Sequence, residues 1–326
     1  MQRFVYKAVF IASILAVFLA PAAFAKQHAD QHFAAAPSPT PAPFQAQAGL
    51  DGTDEDVLKA IQAAIQLRRA AIPTYEIYAT QIDHLRVDSG QGWASAWLNP
   101  VDPQTGRVVP AEPGLALARY QDGKWQAILP GSAGWKAALA DVPETILPGP
   151  EKDAWLETAA KAQAAQSTQT FSGYRLPWDP GKTIYLTQSV HHDAYTPSGS
   201  AHYAFDFAAP YDPSLHGSPM FAIHASKAGT VYLAEWRNPN GNEQYPNYIV
   251  LKDTSTNPVT YQLYLHLAQD SIPPELRSTG VAVQQGQYLG LADDTGQSTG
   301  NHLHFQVETN LASYWGQSVD IIFDDV

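Results

Sequence analysis

Four short runs set the fold class of the C-terminal half: Gly229-Thr-Val-Tyr-Leu, Asn247-Tyr-Ile-Val-Leu, Val259-Thr-Tyr-Gln-Leu-Tyr-Leu and Leu303-His-Phe-Gln-Val. Each is rich in β-branched and aromatic residues, and Gly, Pro, Asn and Asp punctuate the segments between them. Many short strands with no long helix between them predict a mainly β domain over residues 171–326, an antiparallel sheet or barrel-like sandwich. No internal repeat accompanies them.

Working towards the N-terminus, Pro148 and Pro150 mark a boundary, and residues 149–170 read as a helical connector built on the Ala- and Gln-rich run Glu151 to Gln166. Residues 51–148 predict a small α+β domain. Its helix starts near Thr53, with Asp54, Glu55 and Asp56 at the positive end of the dipole and Val57, Leu58, Ile61, Ala64 and Ile65 on one stripe; Pro73 ends it. Strand character follows at 80–88, 92–98, 114–121 and 124–129, with Asp122-Gly123 as a tight turn, and a helix closes the unit around 134–140. Trp93, Trp97, Trp125 and Trp135 either fill this core or stack on sugar rings; no polar pattern surrounds them, which favours the core.

Residues 26–50 read as an Ala, Gln and Pro tether, with Pro37, Pro39, Pro41 and Pro43 at alternate positions. Before it, Arg3 and Lys7 precede the apolar run Ala8 to Ala20, and Ala23-Phe-Ala25 offers the small residues a signal peptidase prefers. The expectation is a signal peptide over residues 1–25, cleavage near Ala25 and work outside the cytoplasm, either extracellular or periplasmic, with no membrane contact thereafter. The apolar run is shorter than the roughly 20 residues a spanning helix needs.

The chain has 326 residues, 19 Lys and Arg against 31 Asp and Glu, and a formal charge of −12. Removing the signal takes away two cations and no anion, so the balance argues against a nucleic-acid partner. With no cysteine, disulfides, thiolate metal sites and cysteine nucleophiles are excluded, so any metal sits on His, Asp or Glu.

Eight of the eleven histidines lie after residue 190, and they include two short spacings, His202-Tyr-Ala-Phe-Asp206 and His302-Leu-His304. Residues two apart on a strand share a face about 6.6 Å apart, so His302 and His304 can enter one cleft. Straight strand would hold His202 and Asp206 about 13 Å apart. Asp206 is therefore expected to open a strand, with His202 in a preceding loop made pliable by Ser198-Gly-Ser200. His191, His192 and Asp193 read as a loop beside the cleft, His216 and His224 as structural, and His28 and His32 as tether residues.

These residues resemble the lysostaphin-type zinc endopeptidases, which cut peptide crosslinks in bacterial peptidoglycan. The resemblance spans roughly residues 173–308 and rests on five ordered pieces: His202-Tyr-Ala-Phe-Asp206-Phe-Ala-Ala-Pro, Gly217-Ser-Pro-Met-Phe-Ala, Ala228-Gly-Thr-Val, Tyr264-Leu-His266-Leu, and Gly286-Gln-Tyr-Leu-Gly leading to Gly296-Gln-Ser-Thr-Gly-Asn-His302-Leu-His304-Phe. It implies one zinc ion per chain held by His202, Asp206 and His304, with His266 and His302 catalytic. Which of those two is the general base stays open. Three protein ligands leave a fourth tetrahedral position for water, whose pKa falls towards about 7 on zinc. The segment Tyr211 to His216 is longer than the family's short turn, and Asn301 stands where Pro, Thr or Ala is frequent; neither removes a ligand.

The resemblance implies a monomer acting on peptidoglycan peptides. Two alternatives stand beside it. A non-catalytic wall-binding or regulatory module of the same fold should lack one of the five residues, and a D,D-carboxypeptidase should carry a Glu-x-x-His stretch that is missing here. The 51–148 domain is expected to be either a pro-region covering the cleft or a wall-binding unit.

Overall fold

The runs quoted above become neighbouring strands in the computed structural model, which describes residues 52–132, 134–160, 169–189, 201–311 and 313–326. The expected signal peptide, the tether, His191, His192, Asp193 and the end of the connector lie outside the described residues.

The first domain opens on helix α1 (Gly52–Arg68), a 3₁₀ turn (Arg69–Ala71) and a short α2 (Pro73–Ile77). Strands β1 (Ala79–Asp88), β2 (Trp93–Val101), β3 (Gly114–Gln121) and β4 (Lys124–Ile128) then form an antiparallel sheet in sequential order, the meander that short polar turns allow. Helices α3 (Trp135–Asp141) and α4 (Gly149–Ala160) follow. The period-2 alternation of β2 gives each face a core. Ala94, Ala96 and Leu98 meet Val57, Ile61 and Ile65 of α1, whereas Trp93 and Trp97 meet Trp135, Leu139 and Trp155 of α3 and α4. The structure thus buries Trp93, Trp97 and Trp135 as core residues and packs Trp125 against the α1 side. Arg86 of β1 holds Glu151 of α4 at 2.6 Å, tying the sheet to the helix that leads out of the domain.

The C-terminal domain is mostly antiparallel β. Its main sheet has the order β12 (Ala282–Val283), β9 (Gly229–Glu235), β10 (Tyr248–Asp253), β11 (Thr260–Leu265), β14 (Leu303–Thr309), β7 (Phe205–Ala208) and β6 (Tyr185–Gln188), with β15 (Gln317–Ser318) added beside β14. A parallel pair, β5 (Thr170–Tyr174) with β16 (Asp320–Phe323), and an antiparallel pair, β8 (Ala222–His224) with β13 (Tyr288–Leu291), flank it. One face packs the large core of Ile249, Leu251, Tyr264, Leu303, Phe305 and Val307. The other carries a smaller apolar cluster with Val250, Leu263, Leu265 and Trp315, and on this face the polar site is built. Gly296 bends the chain towards it at φ +89°, where a Cβ would stand 2.8 Å from Pro246, so no other residue fits without a shift.

Candidate metal centre

Strand register does the first part of the assembly. β14 lies between β11 and β7, with His304 opposite Leu265 on one side and opposite Asp206 on the other. Directly opposed side chains share a face with Cβ atoms about 4.5 to 5.5 Å apart. Asp206 Oδ1 and His304 Nδ1 accordingly stand 3.2 Å apart, both side chains fully buried. Donor atoms each about 2.0 to 2.2 Å from one tetrahedral ion lie roughly 3.3 to 3.6 Å apart, so this pair falls just inside the spacing of two ligands of a zinc-sized ion.

The second part comes from a loop. His266 follows β11 with φ +62°, a left-handed conformation that costs a non-glycine residue on the order of 1 kcal/mol. Its carbonyl accepts from Asp293 N–H at 2.7 Å, and the Asp293 carbonyl accepts from His302 N–H at 3.1 Å. This bridge sets the two imidazoles 4.5 Å apart between centroids. Each ring is aimed through its Nδ1: that of His266 lies 2.6 Å from the Thr295 carbonyl, that of His302 lies 2.8 Å from the Gly300 carbonyl. A carbonyl only accepts, so Nδ1 carries the proton in both rings and Nε2 faces the site. His302 Nε2 stands 3.8 Å from Asp206 Oδ1.

His304 is oriented by its own strand. Residues 304, 306 and 308 share a face; His304 Nε2 lies 3.2 Å from Gln306 Oε1, Gln306 Nε2 donates to Glu308 at 2.5 Å, and Gly316 N–H donates to the same carboxylate at 2.7 Å. Trp315 stacks on the imidazole at 5.0 Å. A proton on Nε2 directed at Gln306 leaves Nδ1 as the atom turned towards Asp206 and Glu112.

The structure also places in the site a residue that sequence reasoning missed. Glu112, from the 102–113 connection between β2 and β3, puts Oε1 2.5 Å from His304 Nδ1, 3.2 Å from His266 Nε2 and 3.9 Å from His302 Nε2. Two groups of donors therefore converge within 4.8 Å, Glu112 with Asp206 and His304, and Glu112 with His266 and His302. His202 belongs to neither group; it sits in the turn before β7 with its ring edge-on to Tyr203 at 4.7 Å. The one hint of Glu112 in the sequence is a connection much longer than the two to five residues a hairpin needs.

As protein groups alone, the imidazoles respond to this crowding differently. Burial opposes charge on His304, but Glu112 and Asp206 outweigh it and raise its pKa to about 9. The same contest ends with His302 raised by Asp206 and Glu112. His266 is lowered, by burial first and by the neighbouring His302 second, against the pull of Glu112.

A buried set of imidazoles and carboxylates on one face of an antiparallel sheet, with two further imidazoles presenting Nε2, offers donors that could hold a metal ion beside groups suited to acid–base chemistry. Residues 200–319 match the sequence profile of Peptidase family M23, and over this stretch the chain is similar to lysostaphin-type members. Glycyl-glycine endopeptidase ALE-1 of Staphylococcus capitis is 34% identical over 116 residues, 36% of this chain and 27% of that protein. Peptidoglycan DD-endopeptidase ShyC of Vibrio cholerae is 32% identical over 110 residues, 34% of this chain and 21% of the other. The chain thus spans about a quarter of the length of these relatives. The catalytic domain of lysostaphin from Staphylococcus simulans aligns at 26% identity over 45% of this chain and 84% of its own, with a TM-score of 0.27.

Proposed function

We propose that the chain is a zinc metallo-endopeptidase that hydrolyses peptide crosslinks of bacterial peptidoglycan, working as a monomer outside the cytoplasm after loss of a signal peptide. The observation that carries the reading is the register pairing of Asp206 with His304 beneath two imidazoles whose Nε2 atoms face the same point. Asp206 and His304 would hold the ion, with His202 as the third ligand that the family resemblance implies. Bound there, zinc supplies Lewis acidity and lowers the pKa of a water molecule towards about 7.

The chain's own residues supply the rest. Gln306 and Trp315 keep the His304 ring in one orientation. The carbonyls of Thr295 and Gly300 hold His266 and His302 so that one Nε2 takes a proton from the attacking water and later gives it to the leaving amine. The other imidazole, in its doubly protonated form, donates from Nε2 to the carbonyl oxygen as negative charge gathers on it. The C–N bond breaks, a C–O bond forms, and the proton passes from water to amine. No described helix is long and apolar enough to cross a membrane.

Digestion of purified peptidoglycan, with free amines and reducing ends followed separately, tests the reading. The expected result is new amines that a zinc chelator abolishes, and no new reducing ends. A folded, zinc-loaded chain that releases none from purified walls points instead to a binding or regulatory module.

A further inference from the structure

Gln188 closes β6, the strand that ends the main sheet beyond β7, and lies opposite Asp206 in the register. Its side chain is buried, 6% exposed, and neither Oε1 nor Nε2 has a hydrogen-bond partner among the described residues. A carboxamide buried with both ends unpaired lowers folding stability, so such a group in a native fold needs a reason.

Other buried amides around this sheet are paired. Gln262 of β11 accepts from Lys227 N–H at 2.9 Å and donates to the Lys227 carbonyl at 3.1 Å. Asn247, just before β10, accepts from Asn238 N–H at 2.9 Å and donates to the carbonyls of Asn238 at 2.8 Å and Leu267 at 3.1 Å. Gln306 joins His304 to Glu308. Gln188 is placed beside Asp206 as Gln306 is beside His304, yet it makes no hydrogen bond to that carboxylate.

An irregularity in the backbone aims it. Leu186 pairs with Phe207 and Gln188 with Asp206, so Thr187 is an extra residue, a bulge of the kind that redirects a side chain beside a site. Thr187 Oγ1 pins the bulge from 3.2 Å to the Asp206 carbonyl. Opposed residues share a face with Cβ atoms about 4.5 to 5.5 Å apart, so Asp206 has His304 on one flank and Gln188 on the other.

A carboxamide offers an acceptor and donors in one plane, the complement of a peptide unit with its N–H and C=O. Strands lie about 4.8 Å apart and an extended peptide rises about 3.4 Å per residue, which puts Gln188 roughly one or two residues along a substrate from the bond being cut. A charged group in this position would select a charged side chain; a neutral amide reads main chain.

We propose that Gln188 is a substrate-binding residue whose carboxamide pairs with a main-chain peptide unit of the crosslink on the β6 side of the scissile bond. The proposal rests on the zinc-peptidase reading above and deepens it. On this side the substrate is recognised as an extended backbone, with no demand for a charged side chain.

The test compares the full chain with Gln188→Met and Gln188→Asn, using soluble crosslinked muropeptides of defined sequence as the probe. Binding to the zinc-loaded proteins is measured by calorimetry and amine release on the same preparations. Each form is also measured with Glu112→Ala added, so that no first-domain carboxylate competes for the imidazoles. Gln188→Met should keep zinc and keep or raise the melting temperature, because no hydrogen bond of the free protein is lost. It should weaken muropeptide binding and raise KM about tenfold while leaving kcat nearly unchanged, and Gln188→Asn, with its amide drawn back by one methylene, should do the same. Equal binding by wild type and Gln188→Met, or binding by neither, overturns the proposal. Loss of zinc or a lowered melting temperature in Gln188→Met also overturns it, since the amide would then serve Asp206 or the fold. Binding that depends on Gln188, with no amine release from any form, keeps the peptide contact and removes the peptidase reading.

Discussion

Strands β2 and β14 are both central and both buried, and they spend that burial differently. In β2 the two faces are apolar, with Ala94, Ala96 and Leu98 towards α1 and Trp93 and Trp97 towards α3 and α4. In β14 one face is apolar, with Leu303, Phe305 and Val307, while the other buries His304, Gln306 and Glu308 in a row. A row of buried polar side chains is favourable only if each finds a partner, and here each partner orients the next until the last one, His304, faces Asp206 and Glu112. The first strand supports a shape; the second supports a chemistry.

The largest effect that could break this contrast is on the metal-facing end of β14. His304→Ala or Asp206→Ala should remove zinc and activity together, the latter by roughly 10³-fold or more, with metal content and amine release measured on the same preparation. Retained activity in either variant would sink the ligand assignment. His302→Ala or His266→Ala should keep zinc stoichiometric while lowering kcat about 10²- to 10⁴-fold, the range for a lost proton-transfer group.

Leu98→Ala in β2 sharpens the other side of the comparison. It should lower the unfolding free energy of the first domain by about 2 to 5 kcal/mol in denaturant titration while leaving the zinc content of the folded chain unchanged. Gln306→Ala removes only the support of a ligand, so zinc affinity should fall about 10- to 100-fold in a competition titration, without loss of the fold.

The smallest expected effect concerns the bridge between His266 and His302. Burial, helped by Asp294, raises the Asp293 pKa to about 6. The folded chain then binds more protons than the unfolded chain between about pH 4 and 6, so stability should fall as pH rises through that window. Melting temperature against pH should show this slope, and Asp293→Asn should flatten it.

Legibility in the sequence followed distance along the chain. The α+β order of the first domain could be read because its strands are local, alternating and joined by turn residues such as Asp122-Gly123. The tryptophans admitted two readings, since an indole suits a core as well as a sugar ring, and only their burial separates the two. Asp206, His304, His302 and His266 stood out because short spacings and an ordered motif mark them. His202 was marked equally well, yet the structure leaves it in the turn before β7 and outside both donor groups. Glu112 carries no mark at all: an acid in a loop looks the same in sequence whether it is solvated or docked.

The sequence by itself determined the strand runs, the alternation that gives β14 one apolar and one polar face, and the absence of thiol chemistry, because these depend on residue type and a two-residue period. Only the tertiary structure decided that His304 pairs with Asp206, that the Asp293 bridge brings His266 to His302, and that Glu112 closes the site. Those contacts join residues tens to more than a hundred positions apart, and strand register and domain docking, settled by burial of the whole molecule, choose among the partners that local chemistry leaves open.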